Sequence, residues 1–303
     1  MGIDVNALNF LSISDDIKSF QDTVTIGKQE LMLKECDVKK IIKTASDYKI
    51  QNYCEELIIN YLGATKVDSI DYDDYENPTY VVDMNTPLPE NLHGKYNTVI
   101  DGGSLEHIYN LPQAFKNCSL LCKPGGQILH MLPANNHCGH GFWQFSPELF
   151  FSLYSEKNGY KNTEVFLCDA VNTDEWYQVT EPTNGDQVNV ISSVGVFVMA
   201  RTFLQGTDFT HKEINQSIDW SKNKNISLVN NFLSDPEEHP EVHLSETKTF
   251  KNILKKIPLP FVVNIIKKIY SEYLNRTGNS YFGLNSRNPG LTKYKVKSFM
   301  HSK

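Results

Sequence analysis

Residues 97–132 read "NTVIDGGSLEHIYNLPQAFKNCSLLCKPGGQILHML". The run "NTVID" (97–101) is short and apolar and stops at an acid followed by two glycines. "LPQAFKNCSLL" (111–121) has the spacing of an amphipathic helix, and Pro124-Gly125-Gly126 then turns into a second apolar run, "QILHML" (127–132). Strand, helix and strand at these lengths make a βαβ unit, in which the two strands lie parallel. The fold class follows from how far this alternation extends.

It extends both ways. Upstream, "TVTI" (23–26), "KVDSID" (66–71) and "YVVD" (80–83) read as strands, and helices are expected in "DVKKIIKTASDY" (37–48) and "YCEELIINYLG" (53–63). Downstream come "TEVFLC" (163–168) and "SVGVFVMARTF" (193–203), separated from the central unit by "SPELFFSLYSEKNG" (146–159). In that helix Ser146 is placed to cap the first turn, Pro147 suits the first helical position, and Gly159 stands beyond the end. Strands that alternate with helices and are nearly continuously apolar imply an α/β fold with a mostly parallel sheet covered on both faces.

The organisation expected is a lead-in over 1–22, one α/β domain over 23–205, and a linker with a basic, partly helical extension over 206–303. "HKEINQSIDWSKNKN" (211–225) and "SDPEEHPEVHLSETK" (234–248) are polar stretches without apolar periodicity. In "FVVNIIKKIYSEYL" (261–274), Val262, Ile265, Ile266, Ile269 and Tyr273 recur at helical spacing. Charge is divided unevenly. Residues 247–303 hold 12 Lys and Arg against Glu272, or +11, which leaves −18 on the rest of a chain whose net charge is −7. Such an end either folds onto its own acidic body or reaches an anionic partner, including a membrane surface through 251–275. Docking on the body is the plainer expectation.

At 303 residues, 40% of them hydrophobic and 21% charged, the chain can bury a large core. Its longest apolar run, "VGVFVMA" (194–200), is far too short to cross a bilayer. "MGIDVNALNF" lacks the charged start and apolar run of a signal peptide, and Gly2 lacks the context of a myristoylation site. Cys36, Cys54, Cys118, Cys122, Cys138 and Cys168 are scattered, as free or buried thiols would be. A cytoplasmic protein is expected, with peripheral membrane contact as the variant that the basic end permits.

In open α/β sheets, ligands bind beyond the carboxyl ends of the strands, near the point where strand order reverses. The first strand ends at Gly27, where a missing Cβ lets the backbone come close to a ligand. The second ends at Asp71, an acceptor suited to ribose hydroxyls, though farther along the chain than in dinucleotide-binding proteins. The third ends at Asp83, an acceptor suited to an adenine amine. The fourth ends at Asp101 with Gly102 beside it.

The run from Tyr96 to Gly126, above all "SLEHIYNLPQAFKNCSLLCKPGG" (104–126), resembles the central part of class I S-adenosylmethionine-dependent methyltransferases. The wider set "IGKQEL", "VDSIDYDDYE", "VVDMNTPLP" and "NNHCGHGFWQFSPELF" resembles a bacterial branch with a short Gly-x-Gln first loop. The resemblance spans residues 22 to about 203. It implies a Rossmann-like, doubly wound, mostly parallel seven-stranded sheet and S-adenosylmethionine as cofactor. It also implies cofactor contacts from Gly27, Lys28 and Gln29 in the first loop, Asp71 and Tyr72 at the ribose, Asp83 and Met84 at adenine, and Asp101 and Gly102 as a wall. One glycine in the first loop suffices in principle, because this cofactor carries no phosphate that needs a cradle of amides.

For the acceptor, "DGGSLEH" stands where base-methylating enzymes carry an Asn/Asp-Pro-Pro-aromatic motif, so an oxygen nucleophile is favoured. Its proton needs a base, and His140, His137 and His107 are the candidates, in that order. Phe142, Trp143 and Phe145 are placed to form an apolar or stacking face for a sugar or other hydroxylated small molecule. No metal is expected. His137, Cys138 and His140 are ligand types, but a closed zinc site needs four, and the Cys118-x-x-x-Cys122 pair has no matching partner pair. The rival classes are a scaffold that keeps the fold without the chemistry and an RNA methyltransferase. The acidic body argues against nucleic acid.

Overall fold

The computed structural model describes residues 2–182, 188, 190, 192, 194–211, 214 and 291–295. The opening segment, expected as a lead-in, carries structure of its own. Strand β1 (Gly2–Ile3) leads into the 13-residue helix α1 (Val5–Ile17). The Asp4 carboxylate caps α1 by accepting from the backbone N–H of Ala7 at 2.8 Å. The helix then buries Ala7, Leu8, Phe10 and Leu11.

Strand β2 (Gln21–Ile26) is followed by β3 (Glu30–Leu31), which pairs parallel with β1. Helices α2 (Glu35–Ile41) and α3 (Glu55–Tyr61) are shorter than the periodicity implies. In α2 the continuation "KTASD" offers Thr, Ser and Asp side chains that compete with helical hydrogen bonds, and the chain turns there instead. Then come β4 (Ala64–Asp71), β5 (Tyr80–Val81), β6 (Tyr96–Asp101), α4 (Leu111–Leu121) and β7 (Cys122–Pro133). Helix α5 (Pro147–Leu153) is capped by Ser146 as expected but ends early, and Gly159 at φ +92° closes a separate short turn. Strands β8 (Tyr160–Asp169), β9 (Glu175–Val179), β10 (Val196–Leu204) and β11 (Leu291–Lys295) complete the described chain.

Nine of these strands form one sheet in the order β5-β4-β2-β6-β7-β10-β8-β9-β11. The junctions from β5 to β7 are parallel, and those from β7 to β11 are antiparallel. The chain starts in the middle at β2, runs outward through β4 and β5, and returns to run the other way through β6 and β7. This is a doubly wound, Rossmann-like α/β sheet, and its strand order reverses between β2 and β6. The seven strands read from the sequence are all present, and β9 and β11 extend the antiparallel edge.

Alternation along the strands feeds two cores. Val99 and Ile128 face α4 and α5 with Phe115, Leu121 and Phe150, while Ile100 and Leu129 face α1, α2 and α3 with Leu8, Leu11, Val38 and Leu57. Each such fully buried side chain contributes roughly 1.5–3 kcal/mol. Trp176 of β9 ties the amino-terminal helix to the sheet, donating from Nε1 to Asn6 Oδ1 at 2.9 Å and packing edge-on to Phe10.

The helix expected over 261–274 and nearly all of the basic extension lie outside the described residues. Of that extension, Leu291–Lys295 is seen as a strand paired with β9. Among the described residues, no helix is long and apolar enough to cross a membrane.

Candidate functional site

Register places the site. Ile26 is level with Ile70 on one side and Asp101 on the other, so the chain leaves β2, β4 and β6 along one edge of the sheet. Above that edge lies a cavity of about 630 Å³, within the range of small-molecule sites. Gly27, Lys28, Gln29, Asp71, Asp83 and Met84 line it, with Tyr72, Gly103, Ser104 and His107.

Gly27 has φ +74°, and a Cβ there would lie 2.4 Å from Ser104 Oγ. Two separate reasons therefore demand glycine: the left-handed backbone and the lack of room. The next residue, Lys28, donates its backbone N–H to Asp71 Oδ2 at 3.1 Å, while its ammonium turns away to the Asn77 carbonyl at 3.1 Å and Glu55 at 3.7 Å. Asp71 Oδ1 also accepts from the N–H of Tyr72 at 2.7 Å. The carboxylate is thus held in place by two amides, with acceptor capacity left for a ligand. Asp83 Oδ1 accepts from both the backbone and the side-chain amide of Asn85, at 2.9 and 2.8 Å. Tyr72 is exposed and Met84 buried.

Two expectations need correcting, while Gln29 stays at the cavity wall and also supports the loop. Gln29 touches the cavity but is only 1% exposed. Its carboxamide donates to the Ile26 carbonyl at 2.6 Å and to Ser104 Oγ at 3.1 Å, so it braces the loop. Asp101 and Gly102 do not reach the cavity. Asp101 is fully buried and points inward, accepting from the N–H of Ser104 at 2.8 Å and from His130 Nδ1 at 2.9 Å, while His130 Nε2 meets Tyr154 Oη at 2.7 Å. Gly103 and Ser104 form that wall instead. Phe145 is core, 4% exposed and packed edge-on to Phe115.

Of the three candidate histidines, only His107 lines the cavity. His140 stands behind it, ring centroids 5.3 Å apart, with Nε2 3.5 Å from Glu106 Oε1. His137 is farther off, packed on Phe197 at 4.6 Å, where Gly195 leaves no room for a Cβ beside the ring. Burial first, and the His140 imidazole second, hold both His107 and His137 below the ordinary histidine value. Glu106 is fully buried, and neither carboxylate oxygen has a hydrogen-bond partner among the described residues. Burial, with the Asp101 charge second, pushes it up to about 8.

Phe142 and Trp143 do not line the cavity; they lie exposed beside Tyr109, at centroid distances of 6.3 and 6.5 Å. Trp143 Nε1 donates to the Ile108 carbonyl at 2.9 Å. Glu106 and Tyr109 were not singled out from the sequence as site residues, although both stand in the "LEHIY" segment. An acid beside a histidine at the end of an apolar strand was the available signal.

No family model matches the chain, and no curated protein is significantly similar in sequence. Among solved structures, the chain is similar to the N-methyltransferase NodS from Bradyrhizobium japonicum at 12% identity and TM-score 0.36, covering 66% of this chain and 93% of that one. It is similar to the Burkholderia thailandensis 1,6-didemethyltoxoflavin-N1-methyltransferase at 9% identity and TM-score 0.36, over 67% and 78% of the two chains. A third is the 16S rRNA (adenine(1408)-N(1))-methyltransferase from Catenulisporales acidiphilia, at 11% identity and TM-score 0.36, over 67% and 94%. Likeness at these scores carries no argument about this chain, and the fold rests on the sheet's own strand order.

Proposed function

We propose that the chain is an S-adenosylmethionine-dependent methyltransferase acting on a hydroxyl of a small hydroxylated molecule such as a sugar or glycan intermediate. The observation that carries this reading is the cavity above β2, β4 and β6. It gathers Gly27, Asp71 and Asp83 from three strand ends, the acceptors an adenosine moiety needs, with His107 on the far wall. Asp71 would take the ribose hydroxyls and Asp83 the adenine amine, beside the Met84 side chain. The methyl group would then face His107, with His140 behind it, where an acceptor hydroxyl must lose its proton. Tyr109, Phe142 and Trp143 would offer an apolar face for the flat side of a ring. Transfer itself is an in-line displacement, to which the protein contributes positioning and exclusion of water. The Gly-x-Gln first loop fits this reading because the Gln29 brace leaves Gly27 open toward the cavity.

Calorimetric titration with S-adenosylhomocysteine tests the proposal. Micromolar affinity, about −8 kcal/mol, supports it. Absence of both heat and thermal stabilisation refutes it and leaves a scaffold that keeps the fold.

A further inference from the structure

We propose that Glu106, His107 and His140 form a binding site for one divalent transition-metal ion, open on the side of the cavity. One ligand atom from each of the three side chains can be chosen so that all lie within 4.8 Å of one another. A first-row divalent ion with bonds of about 2.0–2.2 Å holds its ligand atoms roughly 3–4 Å apart, so rotation of the two imidazoles closes the set. Glu106 supplies the independent sign of a missing ligand. It is a fully buried carboxyl group whose two oxygens have no hydrogen-bond partner among the described residues, and His140 Nε2 stands 3.5 Å from one of them. In its ionised form a carboxyl group so placed is costly unless a cation completes it.

The backbone brings the ligands together on purpose-shaped loops. Glu106 and His107 sit after β6, and His140 sits after β7. The N–H of Phe142 donates to the Glu106 carbonyl at 2.7 Å, clasping one loop to the other. Between them Gly141 has φ +75° and passes so close that a Cβ would lie 2.7 Å from that carbonyl oxygen. His107 alone reaches the cavity wall, so the open coordination positions face the ligand space.

Two imidazoles and one carboxylate suit manganese, iron, cobalt or zinc rather than magnesium or calcium, which prefer oxygen ligands. For the reaction, the inference rests on the methyl-transfer reading above and deepens it. An acceptor hydroxyl that ligates the ion loses its proton to solvent more readily. Its oxygen then forms the new O–C bond as the C–S bond of the cofactor breaks, with the bonding pair left on sulfur. The sulfonium becomes a thioether and the alkoxide an ether. Acceptors with two neighbouring hydroxyls, able to chelate, fit best.

The test uses the full chain without an affinity tag, stripped with a chelator and titrated with Co2+ while its visible absorption is recorded. We expect about one equivalent bound with ligand-field bands, and at least about tenfold weaker binding in both Glu106→Gln and His140→Ala. Glu106→Gln keeps the side chain's shape, and thermal melting of each variant confirms that it is folded. Asp71→Ala is expected to keep the cobalt spectrum. Absence of stoichiometric binding, or binding unchanged in both ligand variants, overturns the inference. Titration of the same samples with S-adenosylhomocysteine separates the two ideas. Cobalt without cofactor binding leaves the metal site standing and the methyltransferase reading refuted, and the reverse result does the opposite.

Discussion

Gly27→Ala puts the first loop under a stress whose size can be worked out. At φ +74° an alanine costs about 1–2 kcal/mol in backbone strain. Its Cβ would also lie 2.4 Å from Ser104 Oγ, which must leave. That hydroxyl donates to the Ile26 carbonyl at 2.6 Å and accepts from Gln29 Nε2 at 3.1 Å, two bonds worth about 1 kcal/mol each. The single variant should therefore lose about 3–4 kcal/mol. Ser104→Ala loses the same two bonds without the strain, about 2 kcal/mol. The Ser104 Cβ lies 3.5 Å from the added methyl, an ordinary contact, and the end of the Gln29 side chain at 3.2 Å need give only slightly, so the double variant has no severe clash left to relieve. It should lose about 3–4 kcal/mol, some 2 kcal/mol less than the sum of the singles, because the shared bonds are lost only once. Urea unfolding of the four proteins measures this. If the two losses add to within about 0.5 kcal/mol, Ser104 is not what confines Gly27, and the account of the loop fails.

Asp71→Ala should weaken S-adenosylhomocysteine binding by roughly 10- to 100-fold in calorimetry, through loss of charged hydrogen bonds; unchanged affinity would remove the ribose acceptor from the proposed site. With chelator present, Glu106→Gln should gain stability over the parent as pH rises. The folded value of about 8 lies above the ordinary 4.5, so the parent's folded form is favoured below 4.5 and loses up to roughly 5 kcal/mol as pH passes 8. Urea melts at pH 4, 6 and 9 should show the gap opening across that window, and a constant gap would contradict it. Phe145→Ala should cost about 3–5 kcal/mol in unfolding experiments, while the exposed Phe142→Ala stays within about 0.5 kcal/mol and instead raises the KM for an acceptor.

Much of the fold could be read from the residues because parallel strands buried on both faces are written as bounded apolar runs, such as "NTVID" and "QILHML". Helix α1 escaped because "NALNFLSISDD" mixes buried Asn6, Asn9 and Ser14 among its apolar positions, and only packing against Trp176 and Asp169 satisfies Asn6. The strand ends were legible as a set, since a parallel sheet brings its carboxyl ends to one edge. Individual roles were not. The inward turn of Asp101 depends on His130, 29 residues away. Phe145 and Phe142 are three positions apart, yet one is core and the other exposed, because the first is tied to the Pro133 carbonyl at the end of β7 and the second to the Glu106 carbonyl. Glu106 became notable only through its burial, which no local pattern encodes.

The pairing of Leu291–Lys295 with β9 bears on how the edge of the sheet is guarded as the chain is made. An exposed strand edge is a template for another chain, and at the opposite side the edge strand β5 is only two residues long, too short to recruit one easily. At this side β11, which joins the sheet 87 positions beyond Leu204, the last residue of β10, covers β9 and becomes the edge in its place. Until that late segment arrives, β9 offers free amides and carbonyls to any neighbour. A chain cut short before residue 291 would keep the whole cavity and leave β9 as the edge, so self-association should rise with the cavity untouched.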